Sequence, residues 1–293
     1  MPSYKVIEAE QRSPEWHAAR LGIITGSRMK DVMAIGARGG YLAPRDQYKK
    51  ELVSERLTGE RADKDIYVND AMKWGILNEG IARTNYQLRT GNKVKEVGFM
   101  RSTLGEYGVS PDGLVGDDGL LEIKCLMTHN HLYNIFQNAM SVFSDDDASI
   151  RDLLPKDYRA QVQMQLWVTG REWCDFVGYD SRLPVGLDMF VVRVPRDETF
   201  IELMEMETDS FMKEVRSDVK AFLQYLPVAE RACKQCGSVF IDKLSMCHDP
   251  ECYSIHSQIL KILQEPEIKL TKQLEALYMN LGSDVEAVKD ATL

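Results

Sequence analysis

The feature that most constrains this chain lies between Ser110 and Cys125. There Ser110-Pro111-Asp112-Gly113-Leu114 is followed, after a short turn, by Leu121-Glu122-Ile123-Lys124-Cys125. Stripped to chemistry, this is an aspartate, a nine-residue spacer and a Glu-x-Lys triplet. Tyr107-Gly108-Val109 and residues 120–125 read as short strands, with Val115-Gly116-Asp117-Asp118-Gly119 as the turn between them. Side chains alternate along a strand, so Glu122 and Lys124 share one face and Leu121, Ile123 and Cys125 the other. The expectation is an apolar face on a core and a Glu/Lys face lining a cleft, with Asp112 brought beside Glu122 by the hairpin. Two carboxylates so close repel unless a divalent cation or a shared proton neutralises them. Mg²⁺ suits such a pair, because it takes oxygen ligands and keeps several waters; Mn²⁺ is the natural substitute. Lys124 would then orient a water or meet developing negative charge. Taken alone, Asp-Gly is an ordinary turn signal and Glu-x-Lys an ordinary strand ion pair. The surroundings decide.

Five segments, in order, carry a resemblance. They are Glu15-Trp16-His17-Ala18-Ala19-Arg20-Leu21-Gly22-Ile23-Ile24-Thr25-Gly26-Ser27, then Trp74-Gly75 with Glu79 and Arg83, then Ser110 to Leu114. Glu122-Ile123-Lys124-Cys125 follows, and last Ala160-Gln161-Val162-Gln163 running to Trp167-Val168. Over roughly residues 8–225 the chain resembles the phage lambda exonuclease and YqaJ-type viral recombinase family, part of the PD-(D/E)XK nuclease group. The resemblance implies an α/β nuclease core, a mixed central sheet flanked by helices. It implies that Asp112 and Glu122 bind the metal, that Lys124 is the catalytic lysine, and that Glu79 is a further acidic residue near the metal. Gln161 matches a glutamine that helps hold the site, and Arg20, Ser27 and Ser110 match positions that bind phosphate. An arginine fork suits that last task, since it pairs two phosphate oxygens. The implied activity is Mg²⁺-dependent 5′→3′ digestion of linear duplex DNA from 5′-phosphorylated ends, leaving 3′ single strands for phage-type recombination. A ring-shaped homotrimer and a single-strand annealing recombinase as partner are implied with it. The alternatives are a structure- or site-specific endonuclease of the same superfamily, or a non-catalytic DNA- or protein-binding module.

Read without the resemblance, Glu79 lies in a helical pattern with Ala71, Trp74, Leu77, Ile81, Ala82 and Tyr86, where a solvated carboxylate is the ordinary outcome. Gln161 and Gln165 fall one helical turn apart and read as a polar helix face. Trp16 and Arg20 are also one turn apart, so the tryptophan can anchor the arginine.

The 293 residues, 44% of them hydrophobic, suffice for one large or two modest domains. A net charge of −9 argues mildly against duplex binding, which rests on Lys and Arg meeting phosphates; an acidic exterior can still surround a basic channel. There is no apolar run long enough to span a bilayer and no secretory signal pattern at Met1-Pro2-Ser3-Tyr4-Lys5-Val6, so a cytoplasmic location in a bacterial host and no membrane association are expected.

Along the chain, residues 15–33 and 45–58 read as helices, 35–42 as a loop, and 94–100 as a strand. Residues 130–143 and 158–168 read as helices, 174–179 and 189–194 as strands, and 198–223 as a long amphipathic helix. The expected division is a nuclease domain over residues 1–226 and a second unit over residues 227–293. In that tail Cys233, Cys236, Cys247 and Cys252 place four of the six cysteines within 20 residues. Such clustering favours a metal over disulfides in a reducing compartment, and zinc first, as a structural Cys₄ site; His248 can replace Cys247, and an iron–sulfur cluster is the second choice. Beyond His256, spaced leucines and isoleucines suggest one or two amphipathic helices.

Overall fold

The computed structural model describes residues 4–62, 70–103, 105–143, 154 and 156–225. Seven helices and nine strands follow one another there: β1 (Tyr4–Ile7), α1 (Pro14–Arg20), β2 (Ile24–Thr25), α2 (Met29–Val32), α3 (Ala43–Thr58), α4 (Asp70–Thr90), β3 (Val94–Lys95), β4 (Phe99–Ser102), β5 (Tyr107–Val109), β6 (Gly113–Val115), β7 (Gly119–Lys124), α5 (Thr128–Phe143), α6 (Lys156–Thr169), β8 (Trp173–Tyr179), β9 (Met189–Pro195) and α7 (Glu198–Tyr225). The strands form two sheets rather than one. The first runs β1-β4-β5-β2 and the second β3-β6-β7-β8-β9, with β7 and β8 parallel and the other pairs of that sheet antiparallel.

Three sequence expectations change. The helix expected over residues 15–33 breaks after Arg20. Ser13 caps α1 by accepting the Trp16 N–H at 3.1 Å, and Pro14 takes the first-turn position where its missing N–H costs nothing. At the other end Gly22 adopts φ 65°, a conformation glycine reaches without a Cβ clash, and the β-branched Ile24-Thr25 then pair with β5. The strand expected over residues 94–100 is two strands in different sheets. Between them Gly98 passes so close to β1 that an added Cβ would lie 2.1 Å from the Ile7 carbonyl oxygen. The hairpin is β6–β7, not β5–β7, with Gly113 opposite Leu121.

That last difference positions the site. β5 belongs to the first sheet and β6 to the second, so Ser110-Pro111-Asp112 is the connection between sheets. Proline suits a connection that makes no ladder bond. Both faces of the second sheet are covered. Leu121 and Ile123 pack with Ala82 and Tyr86 of α4, while Leu120 packs with Val162 and Leu166 of α6. A larger core joins the first sheet to α2, α3, α6 and α7 through Met100, Val109, Met164, Tyr48 and Phe211.

Candidate active site

Strand alternation along β7 points Glu122 to the face shared with Leu120, the face that α6 covers. Glu122 therefore does not line an open cleft. It is 1% exposed. Its Oε1 accepts from Gln161 Nε2 at 2.6 Å and pairs with Lys124 Nζ at 2.6 Å; its Oε2 accepts from Gln165 Nε2 at 2.7 Å. The two glutamines stand one turn apart on α6, so a single helix face presents both donors. A carboxylate withdrawn from water to this degree is tolerable only when its oxygens are met by donors and a countercharge, and all three are present.

Asp112 enters from the inter-sheet connection. Its N–H donates to the Leu121 carbonyl at 3.0 Å, and its Oδ2 accepts from the Ile123 N–H at 2.6 Å, which locks the carboxylate against β7. Burial, then the charges of Glu122 and Glu79, push its pKa well above the usual aspartate value, against Lys124 and the Ile123 N–H. For Lys124 burial opposes the charged form, but Glu122 and Asp112 outweigh it and raise the pKa. Lys124 also lies 5.3 Å from the Tyr158 ring centre.

Glu79, on α4, lies near enough to act on Asp112, but both its oxygens are taken. Oε1 accepts from Arg83 at 2.9 Å and Oε2 from Arg12 at 2.9 Å. Arg83 also donates to the Asp112 carbonyl at 3.2 Å and pairs with Glu96 at 2.9 Å. These side chains line a cavity of about 490 Å³ that reaches Asp112. Among the described residues, no group of three or more His, Cys, Asp or Glu side chains is arranged as a ready metal site. The donor chemistry of Asp112 and Glu122 nevertheless fits a hard divalent cation: paired oxygen donors, with the repulsion at Asp112 left for a cation to relieve.

Arg20 and Ser110 meet through Trp16, while Ser27 lies in the turn that follows β2. Trp16 Nε1 donates to Ser110 Oγ at 3.3 Å, and the Arg20 guanidinium lies 3.8 Å from the centre of the same indole. β2 and β5 run parallel with Thr25 opposite Gly108, so Ser27 and Ser110 each follow that pair by two residues. Ser27 is exposed in the short 3₁₀ turn Gly26–Arg28. A Cβ at Gly26 would lie 3.8 Å from Gln161 Cγ, which sets this turn against the residue that holds Glu122. The two clusters are neighbours.

The model of the YqaJ-like viral recombinase domain matches residues 15–172. The chain belongs to this family. Among solved structures, the YqaJ-like chain is similar to the alkaline exonuclease LHK-Exo from Laribacter hongkongensis, at 38% identity with a TM-score of 0.60, covering 72% of this chain and 96% of that one. LHK-Exo in complex with dAMP matches at 39% identity, with the same TM-score and coverage. A phage-related exonuclease from Haemophilus somnus matches at 13% identity and a TM-score of 0.54, over 68% of this chain and 96% of that one, a likeness of fold alone. Comparison with curated proteins gives no match.

Two features of this YqaJ-like site escaped the sequence. Gln165 reads there as part of a polar helix face, although its one-turn spacing from Gln161 was a visible signal. Arg12 has no such signal, because it reaches Glu79 across 67 positions of sequence. The cysteine cluster Cys233, Cys236, Cys247 and Cys252, with the expected division at residue 226, lies outside the described residues.

Proposed function

We propose that this chain is a Mg²⁺-dependent DNA exonuclease that digests linear duplex DNA 5′→3′ from 5′-phosphorylated ends and leaves 3′ single strands for recombination. The observation that carries this reading is Glu122, buried and met by Gln161, Gln165 and Lys124, with Asp112 locked beside it by the Ile123 N–H. Kinship with the alkaline exonuclease LHK-Exo supports it. Asp112 and Glu122 would hold the cation, with Glu79 as a further acidic residue near it. Bound there, Mg²⁺ supplies Lewis-acid polarisation of the scissile phosphate and a water of lowered pKa. Gln161 and Gln165 keep the Glu122 carboxylate oriented. Lys124 offsets part of its charge and donates to negative charge that develops on the phosphate oxygens. Arg20, steadied on Trp16, with Ser27 and Ser110, would grip the terminal phosphate beside the carboxylates.

The ring-shaped trimer, the annealing recombinase as partner, and a nuclease domain over residues 1–226 followed by a Cys₄ zinc unit over 227–293 belong to this reading through the family resemblance. Among the described residues no helix is long and apolar enough to cross a membrane. The test incubates linear and circular duplex DNA with the protein, with and without Mg²⁺, beside Lys124→Ala. The linear substrates carry 5′-phosphate or 5′-hydroxyl ends. Loss of linear DNA only, faster from 5′-phosphate and dependent on Mg²⁺ and Lys124, supports the exonuclease. Cutting of circular DNA replaces it with an endonuclease, and binding without cleavage with a non-catalytic module.

A further inference from the structure

Arg12 is the only non-glycine residue at positive φ among the described residues, at 72°. That region favours glycine, because a Cβ there crowds the backbone, and residues held in it against preference concentrate where function needs them. The Arg12 side chain is 45% exposed and its guanidinium meets Glu79 Oε2 at 2.9 Å.

The two arginines on Glu79 are not equivalent. Arg83 is 13% exposed and tied at three points, to Glu79, to the Asp112 carbonyl and to Glu96. It is part of the frame. Arg12 stands half in solvent, on the loop before α1, and can leave at small cost, since exposed ion pairs contribute little. Both face the cavity that reaches Asp112, whose wall carries five carboxylates against these two guanidiniums. Among the described lining residues, Arg12 and Arg83 are the cationic side chains a phosphate arriving there would meet, and a guanidinium fork pairs two phosphate oxygens. While Arg12 stays, each oxygen of Glu79 carries a guanidinium hydrogen bond, and its departure would clear Oε2 while Arg83 keeps Oε1.

We propose that Arg12 is a positioning residue, a latch that occupies Glu79 until a DNA phosphate takes its guanidinium and frees that carboxylate for the cation held by Asp112. This inference rests on the proposed nuclease reading. It makes cation binding tighter once substrate arrives, with no change needed in the sheet or in Arg83.

The test measures Mn²⁺ binding to the DNA-free full chain by titration calorimetry, for the parent, Arg12→Gly, Arg12→Lys and Asp112→Asn. Glycine is at ease at φ 72°, so Arg12→Gly removes the latch without straining the fold, and its melting temperature in chelator should not fall. The Asp112→Asn chain subtracts binding elsewhere. Arg12→Gly should bind Mn²⁺ about 2- to 5-fold more tightly than the parent, as expected for loss of a competing half-exposed ion pair. Arg12→Lys, which restores a charge near Glu79, should move back toward the parent. With linear duplex DNA, the KM of Arg12→Gly should rise more than its kcat changes. An unchanged or weaker isotherm in Arg12→Gly overturns the latch, as does a melting temperature that falls while the isotherm stays put. If the parent and Asp112→Asn bind Mn²⁺ alike, the cation site itself fails, and the latch with it.

Discussion

Glu122 and Arg20 sit in neighbouring clusters and are treated in opposite ways. Glu122 is sealed between β7 and α6 with donors on both oxygens, whereas Arg20 is partly exposed on the short helix α1, steadied by the face of Trp16. A charge that must act on a reacting centre gains from low dielectric, where interactions are strong, but it must then be fully partnered. A charge that must catch a ligand gains from access, and needs a stiff support more than burial. The difference separates a precise, costly corner from a cheap, reachable one.

The sharpest way to break the comparison is Lys124→Ala. Loss of a donor to developing charge is expected to lower the cleavage rate by about 10²–10³-fold, read on 5′-phosphorylated linear duplex. Because the change also strips Glu122 of its countercharge, a thermal melt with added Mg²⁺ must accompany it. Retained activity would move the chemistry away from this corner.

Gln165→Leu probes the buried side alone. It removes the donor to Glu122 Oε2 and is expected to destabilise the fold by about 1–3 kcal/mol, measured by denaturant titration. A shift below that range would mean that Glu122 tolerates exposure to an apolar neighbour, and the contrast with Arg20 would weaken. Arg20→Ala probes the accessible side. Stability should stay within about 0.5 kcal/mol, while the preference for 5′-phosphate over 5′-hydroxyl ends should fall about tenfold. A preference that survives would assign end recognition elsewhere.

The smallest effect is the most diagnostic of charge balance. Burial and the neighbouring carboxylates raise the Asp112 pKa in the folded state, so the folded chain binds this proton more tightly than the unfolded one. The associated stability is present below the usual aspartate pKa and is lost as pH rises through the raised value. In chelator at neutral pH, Asp112→Asn should therefore melt slightly above the parent, and the gap should close on acidification. A lower melting temperature for the variant would show that the Ile123 N–H bond outweighs the repulsion.

Much of the ladder was legible because it rests on local signals. The Thr128–Phe143, Lys156–Thr169 and Glu198–Tyr225 helices, and the Trp173–Tyr179 and Met189–Pro195 strands, lie within a few residues of the ranges their periodicity predicts. The failures share a cause. The helical spacing of Trp16 and Arg20 masked the stop at Gly22, and the apolar run from Val94 to Met100 masked the crossing between sheets at Gly98. In both places a glycine answers to a distant element, α3 for Gly22 and β1 for Gly98, and local pattern carries no record of it.

The sequence by itself determined that Glu122 and Lys124 share one face of a strand, since alternation along β7 depends only on backbone geometry. Only the tertiary structure decided that the Glu122 face is closed by α6 rather than open. It also placed Asp112 on the joint between two sheets and put Glu79 between Arg12 and Arg83. Those outcomes come from contacts spanning 39 positions to Gln161, 43 to Gln165 and 67 from Arg12 to Glu79. Such contacts form when whole elements dock to bury their apolar faces, and the polar groups carried along settle with whatever partners the docking supplies.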